Sequence, residues 1–219
     1  MGVITISRQI GSGGTFIAQE VANNLGLVLI DKEDIEAIMS EYGFSAFSEV
    51  YDSAPGFWGR YDEQRTMTIT FLLSAMRAFA KVGGIVLLGR GGFSVFQGYT
   101  DILNVRLKAP LALRVMRKQD EFGQSDTECR RILTRVEEIR TMFVKSDLGA
   151  DCNDATLFDL VIDTGIIETE RAVSIICDGY SHISTHPRID GRNLRSDLEV
   201  DEILLKLVAQ HVEAKRRAQ

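Results

Sequence analysis

The chain has 219 residues, of which 45% are hydrophobic and 26% are charged, so it is long enough to bury one large core. Its formal net charge of −6 argues against nonspecific binding of nucleic acid, because proteins with that activity are usually basic. Its three cysteines are widely spaced and no apolar run approaches the ~18 residues of a membrane span, so we expect a cytoplasmic protein with reduced thiols and no nucleic-acid or membrane partner.

Short apolar runs alternate with helical patterns along the chain. Because the runs are unbroken rather than alternating with polar residues, they suit a sheet that is covered by helices on both faces. The predicted strands are Val3–Ser7, Leu27–Asp31, Gly84–Arg90, Asp101–Ala109 and Phe158–Gly165, and the predicted helices between them are Thr15–Leu25, Lys32–Glu41, Tyr61–Val82, Leu111–Glu121, Asp126–Lys145 and Glu168–Asp178. This rhythm predicts a single α/β domain, residues 1–178, with a five-stranded and mostly parallel sheet.

Two segments depart from that rhythm. Residues Tyr42–Arg60 mix aromatic residues with Gly, Ser and Pro and are predicted to be irregular. Gly179–Ser196 is a polar stretch that contains Pro187 and Gly191. A last amphipathic helix is predicted at Asp197–Arg217, with a basic, solvated end. Residues 179–219 therefore form a C-terminal extension, which either packs on the domain or pairs two chains as a homodimer.

A glycine-rich loop follows the first predicted strand. Gly11, Gly13 and Gly14 would allow a close approach of the backbone to a phosphate, and the helix that follows adds its unpaired amides and its dipole. The alternative is a plain glycine turn, but the position between a first strand and an amphipathic helix favours a phosphate site. Against the pattern GxxxxGK[ST], the frame falls on Arg8 to Thr15. Gly13 and Thr15 match it, whereas Arg8 replaces the first glycine and Gly14 replaces the lysine.

Several segments together resemble the cytidylate kinase-like family, a branch of the P-loop nucleoside monophosphate kinases. The resemblance rests on "ITISRQIGSGG" with "IAQEVANNLGLVLIDKEDI", on "IVLLGRGGFSVF", on "VRLKAPLALRVMR" followed by "RVEEIR", and on "FDLVIDT". It runs from about Val3 to Cys177 and is weakest between Tyr42 and Arg60. It implies a three-layer P-loop NTPase fold with a helical lid at about residues 118–150, and it implies ATP and Mg²⁺ as cofactors.

The resemblance also implies roles for individual residues in phosphoryl transfer. Asp31 would lie on the acceptor side, and Arg90 would bind the acceptor's phosphate, since a planar guanidinium suits bidentate phosphate binding. An ordinary ion pair is the alternative for Arg90. The loop would hold the phosphates of ATP and Thr15 would reach Mg²⁺, the loop residues being Gly11, Ser12, Gly13, Gly14 and Thr15.

The segment Asp126–Lys145 is the lid in this interpretation. Arg140 matches the arginine of the family's "DKxR" element and would be catalytic, and Arg131 and Arg135 would bind substrate. Glu138 stands where a lysine is usual, and the acidic residues nearby leave open a helix that is simply laced with ion pairs.

These departures leave two hypotheses about function. The first is ATP-dependent phosphorylation of a small acceptor, above all a nucleoside monophosphate such as CMP, with Arg8 supplying the charge of the missing lysine. The second is a nucleotide-binding regulatory or interaction protein on a kinase scaffold, with little or no catalysis. An NAD-binding oxidoreductase is weaker, because Phe16 stands where the last glycine of GxGxxG would be.

Overall fold

The computed structural model describes residues 2–44, 63–186 and 193–219. Most of the predicted irregular segment Tyr42–Arg60 lies outside the described residues, as does part of the predicted polar stretch before the last helix. Within the described chain, five parallel strands form one sheet in the order β2-β3-β1-β4-β5. The strands are β1 Val3–Arg8, β2 Val28–Ile30, β3 Ile85–Leu88, β4 Ile102–Lys108 and β5 Leu160–Asp163. The prediction of a five-stranded α/β fold is confirmed.

Helices cover both faces of this sheet and form the two outer layers. They are α1 Gly14–Leu25, α2 Lys32–Glu41, α3 Glu63–Val82, the short α4 Gly92–Val95, α5 Leu111–Phe122, α6 Asp126–Asp147, α7 Thr169–Thr185 and α8 Glu202–Ala218. Successive residues of β1 point to opposite faces, as a strand requires. Val3 joins the core under α2, α3 and α8, whereas Ile4 and Ile6 join the core under α1 and α7. The unbroken apolar strands are therefore explained by burial on both sides.

Helices α5 and α6 follow β4, and we call them the lid helices; the predicted lid at about residues 118–150 stays a prediction. They pack on each other through a small third core of Val115, Cys129 and Leu133. The far end of α6 is fixed to α3, because Arg65 donates from Nε and Nη2 to the two carboxylate oxygens of Asp147, each at 2.8 Å. The lid helix is thus anchored at its carboxyl end, close to the sheet.

Helix α7 extends further than the sequence indicates. It continues to Thr185, past the predicted end at Asp178, so the predicted domain boundary between residues 178 and 179 falls within a helix. The reason is Tyr180, whose ring is buried in the core under α1 and α7 and whose hydroxyl accepts a hydrogen bond from the Gly2 N–H at 2.9 Å. A locally polar stretch is therefore held helical by a contact with the start of the chain.

The last helix packs against the domain. Helix α8 begins at Glu202 rather than at the predicted Asp197, because Asp201 caps it by accepting from the N–H groups of Ile203 and Leu204, each at 3.0 Å. Leu204, Val208 and Val212 are buried in the same core as α3. Within the described residues, no helix is both long and apolar enough to cross a membrane.

Candidate functional site

The glycine loop joins β1 to α1 at the carboxyl edge of the sheet. Gly11 and Gly13 have φ of 79° and 76°, a left-handed conformation that glycine adopts without strain. Gly13 is the N-cap of α1, and among the described residues no side chain caps that helix. The first N–H groups of α1, from Gly14 to Phe16, therefore point out of the helix end with the positive end of its dipole. This is the geometry of an anion site.

Neighbouring elements pack against the loop so closely that Gly11 and Gly13 have no room for a side chain. A Cβ added to Gly11 would lie 2.8 Å from the carbonyl oxygen of Arg114, and a Cβ added to Gly13 would lie 2.9 Å from Cγ2 of Thr169. The Ser12 hydroxyl turns back into the loop and donates to the Gln9 carbonyl at 2.8 Å. The Ser12 N–H donates to the same carbonyl at 3.3 Å, so the predicted contact of Ser12 with a phosphate stays a prediction.

Two residues that the sequence did not single out hold the loop in place. Arg117 of α5 donates to the Gly11 carbonyl at 3.3 Å and to the Thr164 carbonyl at 2.8 Å. The buried Thr164 hydroxyl, just after β5, donates to the Ser12 carbonyl at 2.9 Å and accepts from Arg117 at 3.1 Å. These partners come from two other elements of the fold. Only the motif "RVMR" could have drawn attention to Arg117.

A cavity of about 500 Å³ opens over the loop, and we call it the loop cavity. Thr15 is exposed at its floor, as a ligand for Mg²⁺ would have to be. Lys118 lies over the Phe122 ring, 5.6 Å from its centre, on the α5 side of the cavity. The positively charged side chains that line the cavity are Arg8, Arg117, Lys118 and Arg140.

A second cavity of about 530 Å³ lies under the lid, and we call it the lid cavity. Arg106 reaches it from β4 and donates to the Ser7 hydroxyl at 2.8 Å. Burial lowers the pKa of Arg106, although nearby Cys152 and Glu137 partly oppose the shift; a guanidinium nevertheless stays charged at neutral pH. Glu137 pairs with the buried Arg114 at 2.5 Å, so this wall of the lid cavity contains a neutralised ion pair.

The two cavities share three lining residues, which are Arg8, Gln9 and Arg140. Arg8 ends β1 and Arg140 projects from the lid helix α6, so the two guanidinium groups approach the junction from opposite elements. The structure thus brings together Arg8, Arg140 and the loop residues that the sequence singled out. Positive charge is concentrated where the contents of the two cavities would meet.

Asp31 and Arg90 lie on the β2 and β3 side of the same sheet edge. Arg90 is the second residue after β3, has a φ of 55° that is uncommon for a non-glycine residue, and is buried. Its Nη2 donates to Glu36 of α2 at 3.0 Å. Asp31 caps α2 by accepting from the Glu33 N–H at 2.8 Å. Neither residue lines the loop or lid cavity in the described part of the chain, so their predicted contact with an acceptor stays a prediction.

Arg131 and Arg135 are not among the residues that line the loop cavity or the lid cavity. Both are exposed on α6, where Arg131 pairs with Glu128 at 2.6 Å and Arg135 approaches Glu138 at 3.7 Å. This half of the lid helix therefore carries ion pairs between near neighbours, the alternative that the sequence left open. A role for the two arginines in substrate binding stays a prediction that this geometry does not favour.

A buried carboxylate joins α8 to α2 beside the predicted acceptor residue Asp31. Asp34 accepts from the Asp31 N–H and from His211 Nε2, each at 2.8 Å, and from Lys215, which also donates to the Leu29 carbonyl at 2.7 Å. Burial alone would raise the pKa of Asp34, but the bonds from Lys215, Asp31 and His211 together hold it below its usual value. The prediction that the end of the last helix is solvated is wrong for Lys215, because its ammonium group donates to the buried Asp34. The sequence does not indicate this contact, since the two residues lie 181 positions apart.

The chain is similar to known kinases over most of its length. The model of the cytidylate kinase-like family matches residues 3–166. A cytidylate kinase of Pyrobaculum aerophilum is 32% identical over 182 residues, which cover 81% of this chain and 92% of that protein. A cytidylate kinase of Methanopyrus kandleri is 29% identical, with 80% and 90% of the two chains covered. The crystal structure of an uncharacterized protein from Eubacterium ventriosum superposes with a TM-score of 0.68 at 16% identity over 82% of this chain and 98% of that one, which supports the fold alone.

Proposed function

Since the chain belongs to the cytidylate kinase-like family, we propose that it transfers the γ-phosphoryl group of ATP to a nucleoside monophosphate, with CMP as the first acceptor to test. The observation that carries the proposal is the pair of cavities that meet at Arg8 and Arg140 beside the free end of α1. Phosphoryl transfer requires positive charge around the moving group as well as alignment of donor and acceptor, and the two arginines at this junction would supply the charge.

The residues present fit a Mg²⁺-bound triphosphate. The loop amides and the α1 dipole would hold the donor phosphates, and Thr15 would offer its hydroxyl to Mg²⁺, which binds mainly through substrate phosphates and water. Bound Mg²⁺ would neutralise charge on the donor phosphates. Arg140 closes the junction from the lid, and its fixed charge would stabilise the transition state more than the ground state.

On the acceptor side, Arg90 would bind the acceptor's phosphate and Asp31 would bind its sugar or base. The pair between Arg90 and Glu36 and the cap that Asp31 places on α2 preorganise both side chains before substrate arrives. Preorganised charge of this kind needs little rearrangement during the reaction. Alanine at Arg90 should therefore raise the KM for the acceptor while leaving ATP affinity nearly unchanged.

Two substitutions favour a second candidate, a nucleotide-binding protein with little catalysis. Gly14 offers no ammonium to the phosphates, and Glu138 adds a negative charge to the lid. Glu138 lines the lid cavity, where it approaches Arg135 at 3.7 Å. We favour the enzyme because the loop cavity, where ATP would bind, is still lined by four cationic side chains, Arg8, Arg117, Lys118 and Arg140.

Incubation with Mg-ATP and a panel of nucleoside monophosphates separates the two candidates. The enzyme predicts ADP and a nucleoside diphosphate in equal amounts, with CMP among the accepted substrates. Binding of ATP by calorimetry without product from any acceptor would favour the second candidate. An absence of ATP binding would refute both.

A further inference from the structure

Gly14 stands where a P-loop has its lysine, but its backbone does not require a glycine. It is the first residue of α1, and it is not among the glycines with positive φ. What excludes a side chain is Arg8: a Cβ on Gly14 would lie 2.7 Å from both Cβ and Cγ of Arg8. Real Cβ atoms essentially never make contacts this short. Those two Arg8 atoms adjoin the β1 backbone, so they cannot swing aside as the end of a flexible side chain would.

The far end of Arg8 reaches the neighbouring strand. Gly89 directly follows β3, and a Cβ placed there would lie 2.0 Å from Nη1 of Arg8. The side chain therefore runs from beneath the start of α1 across to the end of β3, one residue before Arg90. Its guanidinium lies between the loop that would hold the donor and the residue that would bind the acceptor.

We infer that Arg8 replaces the P-loop lysine as the cation of the transfer site, and that Arg8 and a lysine at position 14 exclude each other sterically. The inference rests on the proposed function for its catalytic half and on the packing alone for its steric half. In this chain the charge approaches from the end of β1 rather than from the start of α1. Because it lies at the junction of the cavities, it should act on the phosphoryl group in transit more than on bound ATP.

The double variant Arg8→Gly/Gly14→Lys is the decisive protein, because its loop reads GQIGSGKT and matches GxxxxGK[ST] in full. We expect Arg8→Gly to lower kcat by roughly 10- to 150-fold, the range for one charge-assisted hydrogen bond, with a smaller change in ATP affinity. Gly14→Lys alone should also be impaired, because its new side chain meets Arg8. The double variant should recover at least tenfold over each single variant.

Arg216→Ala is the matched control, because it removes an arginine of α8 that is partly exposed and pairs with Glu213 at 3.3 Å. It should leave kcat and ATP affinity unchanged. A double variant no more active than Arg8→Gly would overturn the exchange of charge. An unchanged kcat in Arg8→Gly would overturn the catalytic role of Arg8. The proposed kinase function would still stand if the wild-type chain is active.

Urea unfolding tests the steric half without any assumption about function. Gly14→Ala should lower the unfolding midpoint of the wild-type chain, because its Cβ meets Arg8. The same substitution in the Arg8→Gly background should be neutral or stabilising, since alanine is favoured over glycine in a helix. Equal destabilisation in both backgrounds would refute mutual exclusion. A wild-type chain that binds no ATP would refute the proposed function and the catalytic half, and this unfolding comparison would still decide the steric half.

Discussion

Asp34→Asn should destabilise the fold by about 2–3 kcal/mol. The carboxylate of Asp34 is 6% exposed and has two cationic or potentially cationic partners on α8, His211 and Lys215. Hydrogen bonds to charged groups contribute roughly 1.5–3 kcal/mol each, against about 1 kcal/mol for neutral ones. The variant keeps the shape of the side chain and weakens both bonds by about 1 kcal/mol or more. We take the lower part of the range because His211 and Lys215 remain about 26% and 32% exposed.

The assay is a double-mutant cycle in urea with Asp34→Asn, Lys215→Met and the two combined. Lys215→Met removes the ammonium but keeps an apolar stem of similar length. If the two residues stabilise the fold through their contact, the sum of the two single losses in unfolding free energy should exceed the loss in the double variant by about 1–2 kcal/mol. Additive effects, within about 0.3–0.5 kcal/mol, would refute the idea that this pair fixes α8 to α2.

The same cluster predicts a pH dependence with a definite sign. The pKa of Asp34 is lower in the folded chain than the value of about 3.9 in an unfolded chain. Its stabilisation is therefore fully present above the unfolded value and is lost as the pH falls through about 4 toward the folded pKa. The difference in unfolding free energy between wild type and Asp34→Asn should shrink as the pH falls below about 4. A constant difference down to pH 3 would contradict the assignment.

Three further predictions follow from other contacts. Thr164→Val should weaken ATP binding about 5- to 150-fold in calorimetry, because loss of its bonds to the loop costs roughly 1–3 kcal/mol; unchanged affinity would show that the loop holds its shape without them. Arg65→Ala should lower the unfolding free energy by about 3–5 kcal/mol, since it leaves the carboxylate of Asp147 without its main partner in a buried pair, and a loss below 1 kcal/mol would contradict the lid anchor. Arg131→Ala and Arg135→Ala should leave kcat/KM unchanged, because both arginines are exposed and pair with neighbours on α6. A tenfold loss in either variant would show that the arginine contributes to substrate binding.

The fold followed from the sequence because its signals are local. Each strand is a short apolar run, and β1 and β3 are buried on both faces as their unbroken patterns indicate. The end of α7 did not follow, because the contact of Tyr180 with Gly2 joins residues 178 positions apart. A polar stretch gives no sign of a distant partner, so local propensity placed the end of that helix too early.

The site was predictable in part for the same reason. The glycine loop and Arg140 stand in recognisable motifs, whereas Thr164 and Lys215 gain their roles from partners 152 and 181 residues away. The missing lysine illustrates a different limit. A motif compares residue types one position at a time. In the structure, Arg8 fills the space that a side chain at position 14 would need, so the arginine at position 8 accounts for the glycine at position 14.

The C-terminal helix contacts the predicted acceptor side, although the family match does not extend to this helix. The family model ends at residue 166, yet α8 supplies His211 and Lys215 to Asp34, and Asp34 in turn accepts from the N–H of Asp31. Because the apolar face of α8 is buried against α3, a homodimer through the extension, which stays a prediction, would have to use another face of the helix. Loosening α8 should therefore disturb Asp31 before it disturbs the glycine loop. In the Lys215→Met variant this order would appear as a raised KM for the acceptor with an unchanged KM for ATP.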